Sequence, residues 1–201
     1  MSRSTFDAVR LPGTIGLLVA IASSISLLGC NTSGTSISPV AATIQSKILA
    51  ASKPAEIASL KASYVAEASD QQITVVGRIY AENMSPFDPK ESVFTIVELP
   101  KPGHLNEDPG ECPFCRRDLK MAKMAIVQVV DEKNKPYPQS ADKLLGLKKN
   151  QDVVVTGKSS QIGDTLIIQT TSIYSLPLAE AEELSKQIHP EQTEAATTPS
   201  E

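Results

Sequence analysis

Apolar residues along this chain fall into three regimes. Leu11 to Cys30 carries no charge and holds two dense runs, Ile15–Ala22 and Ile25–Leu28. Residues 31–70 are rich in Ala, Ser and Thr; within them only Ala41–Ala50 has the spacing for two or three helical turns, and Pro54 disfavours helix at Lys53. From Gln72 the period shortens to two, with Ile73, Val75, Gly77 and Ile79 alternating against Thr74, Val76, Arg78 and Tyr80. Four more β-branched runs follow, Ser92–Leu99, Met124–Val130, Asp152–Lys158 and Thr165–Ile173. The pattern predicts a strand in each of the five.

The connections carry their own signals. Gly163-Asp164 predicts a tight hairpin turn between the last two strands. Ser140–Leu147 predicts one short amphipathic helix between the third and fourth, with Ser140 as N-cap and Gly146 as stop. Gly77 and Gly157 interrupt the first and fourth strands, where a closing sheet must bend. Three strands, a short helix and a two-stranded hairpin is the order of an all-β, five-stranded Greek-key barrel of the OB type. An SH3-like barrel is the competing architecture, and the helix before the last two strands favours the OB order. The segments 75–79 (Val-Val-Gly-Arg-Ile) and 146–158 resemble small OB-fold domains of exported bacterial proteins. That resemblance implies a fold without implying a ligand.

Arg3 and Arg10 precede the uncharged stretch, and small residues end it, as in a secretory signal. The break Leu27-Leu28-Gly29-Cys30 resembles the lipobox of bacterial lipoproteins. The resemblance implies that the signal is cut before Cys30, that this cysteine is diacylated, and that its new amine is acylated. The chain is then a membrane-anchored protein of the cell envelope, and Asn31 in place of Asp implies the outer membrane, facing the periplasm. The competing reading is an uncleaved membrane-spanning helix, which Ser23, Ser24 and Ser26 make a poor one. The expected organisation is a signal peptide over 1–29, a lipid anchor and partly helical tether over 30–70, the barrel over 71–176, and an acidic unstructured tail over 177–201.

Charge adjusts this picture. The formal net charge is -4, yet residues 71–176 hold 13 basic and 13 acidic residues, and the acidity gathers in the tail. Tryptophan is absent and aromatics make up 4% of the chain. A neutral domain with few stacking platforms argues against nucleic acid as a partner. An envelope protein, peptide, glycan or small ligand is expected instead. Were a strand-face cleft used, Tyr80, Phe94, Phe114, Arg116 and Arg117 are the residues to line it, with Lys120 and Lys123 beside them.

Candidate chemistry concentrates in the long connection between the second and third strands, Pro100–Lys123. It holds one of the two histidines, His104, and both cysteines other than Cys30, Cys112 and Cys115. Three readings stay open. Cys112, Cys115 and His104, completed by Asp108 (or by Glu107 or Glu111), have the ligand types for a tetrahedral Zn²⁺ site. In an oxidising compartment, Cys112 and Cys115 instead form a local disulfide. The motif Cys-Pro-Phe-Cys also resembles that of glutaredoxin-like proteins, where Arg116-Arg117 would lower a thiol pKa; that family, however, sets its motif after a strand of a parallel βαβ sheet. His189, beside Pro190 in the acidic tail, is expected to be exposed and idle, and Lys148-Lys149 to be a surface turn. No hydrolase order of Ser, His and Asp stands out, so the expectation is a binding module and not an enzyme.

Overall fold

The computed structural model describes residues 39–65, 70–111 and 113–190, with the side chains of Val65, Pro113 and Phe114 left aside. The expectations for the signal peptide and Cys30 lie outside these residues, as do those for Cys112 and 191–201. The elements are α1 (Pro39–Ile48), β1 (Ala58–Ser59), α2 (Leu60–Val65), β2 (Gln72–Ile79), β3 (Val93–Val97) and α3 (Pro113–Leu119), then β4 (Met124–Val129), α4 (Ala141–Leu145), β5 (Asp152–Ile162), β6 (Thr165–Ser175) and α5 (Leu178–Ile188).

Strands β2, β3, β4, β6 and β5 are neighbours in that order, and β2 also pairs with β5, which closes the sheet on itself. The β4–β6 pair is parallel, and the other pairs of this ring are antiparallel. With α4 between the third and fourth barrel strands, this is the OB-fold order that the sequence predicts. β1 runs parallel to β2 at Val75 and Val76, just before β3 takes over at Arg78 and Ile79. It thereby covers a length of edge that would otherwise be left open.

The alternation in β4 and β6 does what period two requires. Ala125, Val127 and Val129 are buried while Met124, Ile126 and Gln128 are not, and Leu166, Ile168 and Thr170 repeat the pattern. These side chains fill the barrel with Val75, Ile79, Phe94, Ile96, Val153, Val155 and Ile173, and Leu144, Leu145 and Leu147 join them from α4 and its C-terminal side. Both strand glycines sit where another backbone comes close. A Cβ on Gly77 would stand 2.7 Å from the Val97 carbonyl oxygen, and one on Gly157, at the bulge in β5, would collide with that of Gln169. Gly163 opens the two-residue hairpin turn at φ 59°, as expected. Gly146 ends α4 at φ 73°, whereas Ser140 makes no side-chain capping bond.

Two segments outside the five strands, the partly helical tether and the tail expected to be unstructured, pack on the barrel. The helical part of the tether is α1, whose Ala41, Ile44 and Ile48 are buried in the main core. Gln45 Nε2 donates to Leu144 O at 2.8 Å, and Ala50 N donates to Ile173 O at 2.8 Å. The first turns of the tail are α5, not a loose end. Leu176, Ala181 and Leu184 pack on Val76 and Val154, on the outer face of the barrel wall. That cover explains why β5 is buried continuously from Asp152 to Val155 instead of alternating. Counting charges in the tail hid the stripe Ala181, Leu184, Ile188, which has helical spacing.

Candidate functional site

The connection from β3 to β4 is drawn in by one buried arginine. Arg78, on β2, is 1% exposed and grips Asp152 of β5 with two bonds, Nε to Oδ1 at 2.7 Å and Nη2 to Oδ2 at 2.9 Å. Its remaining donors leave the barrel wall and reach main-chain carbonyls of the connection, Leu105 at 2.7 Å and Glu107 at 3.3 Å. Burial pushes the Asp152 carboxyl up from its usual range, while the Arg78 guanidinium pulls it back. The pair therefore positions Leu105–Glu107 against a rigid wall. Leu105, itself buried, adds an apolar anchor in the cluster under α5.

Tight turns shape the rest. His104 N–H donates to Lys101 O, Glu107 N–H to His104 O and Glu111 N–H to Asp108 O. The Asp108 carboxylate accepts from Gly110 N–H at 2.8 Å and from Asn150 Nδ2 at 2.9 Å. These two bonds hold its carboxyl below the usual range. Arg116 Nη2 donates to Gly110 O, and Lys101 pairs with Asp118 at 2.8 Å, so α3 is tied back to the turns that precede it.

This folding brings three of the chain's candidate ligands together. His104, Glu107 and Cys115 each offer a ligand atom, and all three atoms lie within 4.8 Å of one another. His104 Nδ1 is 3.0 Å from Glu107 Oε2, and Cys115 Sγ is 3.5 Å from the same oxygen. A tetrahedral Zn²⁺ with ordinary bond lengths spaces an N···O pair by ~3.3 Å and an S···O pair by ~3.6 Å. The donor set fits such an ion with small adjustments. Asp108 is corrected out of this group: its oxygens are occupied by Gly110 and Asn150, and Glu107 takes the place given to it. Cys112 lies outside the described residues.

A pocket of about 90 Å³ opens beside these groups. Val97, Leu99, Leu119 and Ala122 give it an apolar lining, and His104, Cys115 and His189 line it together with the carboxylates of Glu98 and Asp118. His189 is therefore not the fully exposed side chain that the sequence suggests. It sits just past α5, half-buried, with Nε2 3.0 Å from Leu99 O. Nothing local to residues 185–190 announces this, because its neighbours at the site are some 80 residues away in sequence.

The cleft expectation needs correction as well. Phe94 is 1% exposed and points into the barrel, where its ring meets Phe87 at 6.2 Å between centroids. Its parity with Ile96 along β3 carries that signal. Tyr80 lies against a groove over β3 and β4, together with Tyr64, Thr95, Lys120, Lys123 and Met124. Lys149 is 5.0 Å above the Tyr80 ring, and burial pushes the phenol pKa up. Arg116 and Arg117, on α3, do not line that groove, although the Arg116 charge is felt by the Tyr80 phenol, and the Phe114 side chain lies outside the described residues. Tyr64 was not singled out from sequence. Its hydroxyl donates to Met124 O and accepts from Leu166 N–H, so it latches the ends of two barrel strands.

No protein-family model and no curated protein matches this chain. Among solved structures it is similar to a chain in the crystal structure of the S. pombe Stn1-ten1 complex, with 15% identity over 63% of this chain and 73% of that one and a TM-score of 0.33. The OB-fold assignment rests on strand order and closure, not on that distant likeness. The expectation that nucleic acid is an improbable partner does not stand. It rested on a charge sum over the whole domain, and such a sum is blind to local grouping like that of Lys120 and Lys123 beside the groove.

Proposed function

We propose that this chain is a lipid-anchored binding module of the cell envelope whose OB barrel presents a divalent-metal site, for Zn²⁺, on the connection between β3 and β4. The ligands that the fold brings together are His104, Glu107 and Cys115; Cys112, the further thiol that the sequence offers, lies outside the described residues. The observation that carries the reading is the convergence of imidazole, carboxylate and thiol within 4.8 Å on a segment stapled to the barrel. A mixed N, O and S set suits Zn²⁺ better than Mg²⁺ or Ca²⁺, which prefer oxygen. Anchoring through Cys30, with the barrel facing the periplasm on the outer membrane, is supported by the lipobox Leu27-Leu28-Gly29-Cys30 and by two or more acyl chains holding where one does not. Among the described residues no helix is long and apolar enough to cross a membrane.

The thiol must lose its proton to bind, so affinity rises with pH and binding releases protons. The test is metal analysis and thiol titration of the full chain purified in detergent. About one Zn²⁺ per chain, lost on His104→Ala or Cys115→Ser, is the expected result. Less than about 0.2 Zn²⁺ per chain, with Cys112 and Cys115 joined as a disulfide, removes the metal reading and leaves a loop shaped by that bond. Dithiol-disulfide exchange dependent on Cys112 would move the chain to the redox class.

A further inference from the structure

His104, Glu107 and Cys115 supply three ligands, and a structural Zn²⁺ site closes with four. The chain's second histidine, His189, lines the pocket beside His104 and Cys115 but stands outside the group whose ligand atoms lie within 4.8 Å of one another, so an ion there must draw its ring in. Its Nε2 lies 3.0 Å from the Leu99 carbonyl oxygen, an atom that only accepts, so Nε2 is the nitrogen that carries the proton. In the neutral ring, Nδ1 then holds the lone pair. This is the arrangement found around metal-bound histidines, where one ring N–H is fixed on a carbonyl or carboxylate and the other nitrogen faces the ion.

The helix that carries His189 is held in register by contacts to the same stretch of chain. Ser185 Oγ donates to Pro100 O at 2.7 Å, and Gly103 N–H donates to Glu182 Oε2 at 3.4 Å. Ala181 and Leu184 anchor α5 on the barrel wall below. The imidazole therefore arrives on a docked element and not on a loose end.

We infer that His189 is the fourth ligand of the metal site, through Nδ1, so that metal capture locks the C-terminal helix onto the connection that carries the other three. The inference rests on the proposed metal reading and adds a ligand and a coupling to it. Loss of the ion then loosens α5 from the barrel.

The experiment titrates Zn²⁺ into the full chain in detergent against a chromophoric chelator, with the variants His189→Gln and His104→Ala. Gln at position 189 keeps a donor near the place of Nε2, and so the bond to Leu99 O, but removes the ring nitrogen. Expected is a 10–100-fold loss of Zn²⁺ affinity in His189→Gln, with metal-free thermal stability unchanged. Replacement of Zn²⁺ by Co²⁺ gives intense visible bands of a four-coordinate ion in the unmodified chain and weaker, shifted bands in the variant. Amide exchange over residues 178–188 slows with Zn²⁺ only when His189 is present. Wild-type affinity and an unchanged Co²⁺ spectrum in His189→Gln overturn this inference and leave the three-ligand reading intact. Absence of Zn²⁺ binding by the unmodified chain overturns both.

Discussion

The barrel wall and the connection that leaves it between β3 and β4 are ordered by different forces. In the wall, β-branched residues alternate or run continuously, and Val75, Val127, Val155, Ile168 and Ile173 are all fully buried. Burial at roughly 1.5–3 kcal/mol per large apolar side chain is enough to set strand order and register there. From Glu98 to Lys123 the buried apolar anchors among the described residues are Leu99, Leu105 and Pro109. Shape comes instead from polar bonds: the Arg78 fork, the Asp108 bridge, the Lys101–Asp118 pair and the Arg116 bond to Gly110 O. A packed wall tolerates small errors by relaxing. A segment held by a few directional bonds keeps ligands in place only while each bond is made.

The Arg78–Asp152 pair belongs to both regions, so breaking it has the largest effect. Arg78→Ala leaves Asp152 buried without its partner and is expected to cost about 3–5 kcal/mol in denaturant unfolding. It also frees the carbonyls of Leu105 and Glu107, and Zn²⁺ affinity falls with stability. The double change Arg78→Met with Asp152→Leu separates the two consequences. Removing both charges restores most of the stability, whereas the connection stays unpinned and metal affinity stays low. Full recovery of affinity would show that the connection does not need the fork. Next in size is Leu144→Ala, at the plugged end of the barrel, expected to cost about 2–3 kcal/mol. Because Leu144 is 2% exposed and packs only within the main core, Zn²⁺ affinity per folded molecule should not change. A parallel loss of affinity would mean that wall and connection are not separable.

The same contrast decides what was legible beforehand. Period-two runs, the turn glycine Gly163 and the helix stop at Gly146 are local signals, and each marks the element that forms. Closure by β2–β5 pairing followed from the order of those elements. The α5 stripe was also local, but six acids against one lysine drew attention from it. The site was legible only as a list of rare ligand types in a long loop. Which carboxylate joins His104 and Cys115 depends on hydrogen bonds that reach across the fold. Asp108 is taken by Asn150, 42 positions away, and Glu107 is presented because its own carbonyl is gripped by Arg78. His189 is brought in by helix docking. No spacing rule encodes contacts of that kind.

The finest test of the comparison uses pH on the bridge that Asp108 makes. Its carboxyl is held below the usual range by the Gly110 N–H and then by Asn150. The charged form is thus bound better in the folded chain than in the unfolded one, where the value is about 3.9. Its contribution is complete above that value and is lost as pH falls through the depressed folded-state value, a window lying below about pH 4. Asp108→Asn keeps an acceptor for Gly110 but sets an amide donor against Asn150 or leaves that side chain unpaired. The expected cost at pH 7, measured with a chelator present, is on the order of 1 kcal/mol. As pH is lowered from 5 toward 2 the difference between the two proteins should shrink, because the wild-type carboxyl is then protonated too. The deficit of Leu144→Ala, which involves no charge, should stay the same over that range. If the Asp108→Asn deficit also persists at low pH, the bridge acts through shape and not through its charge, and the connection is closer in kind to the wall than its polar bonds imply.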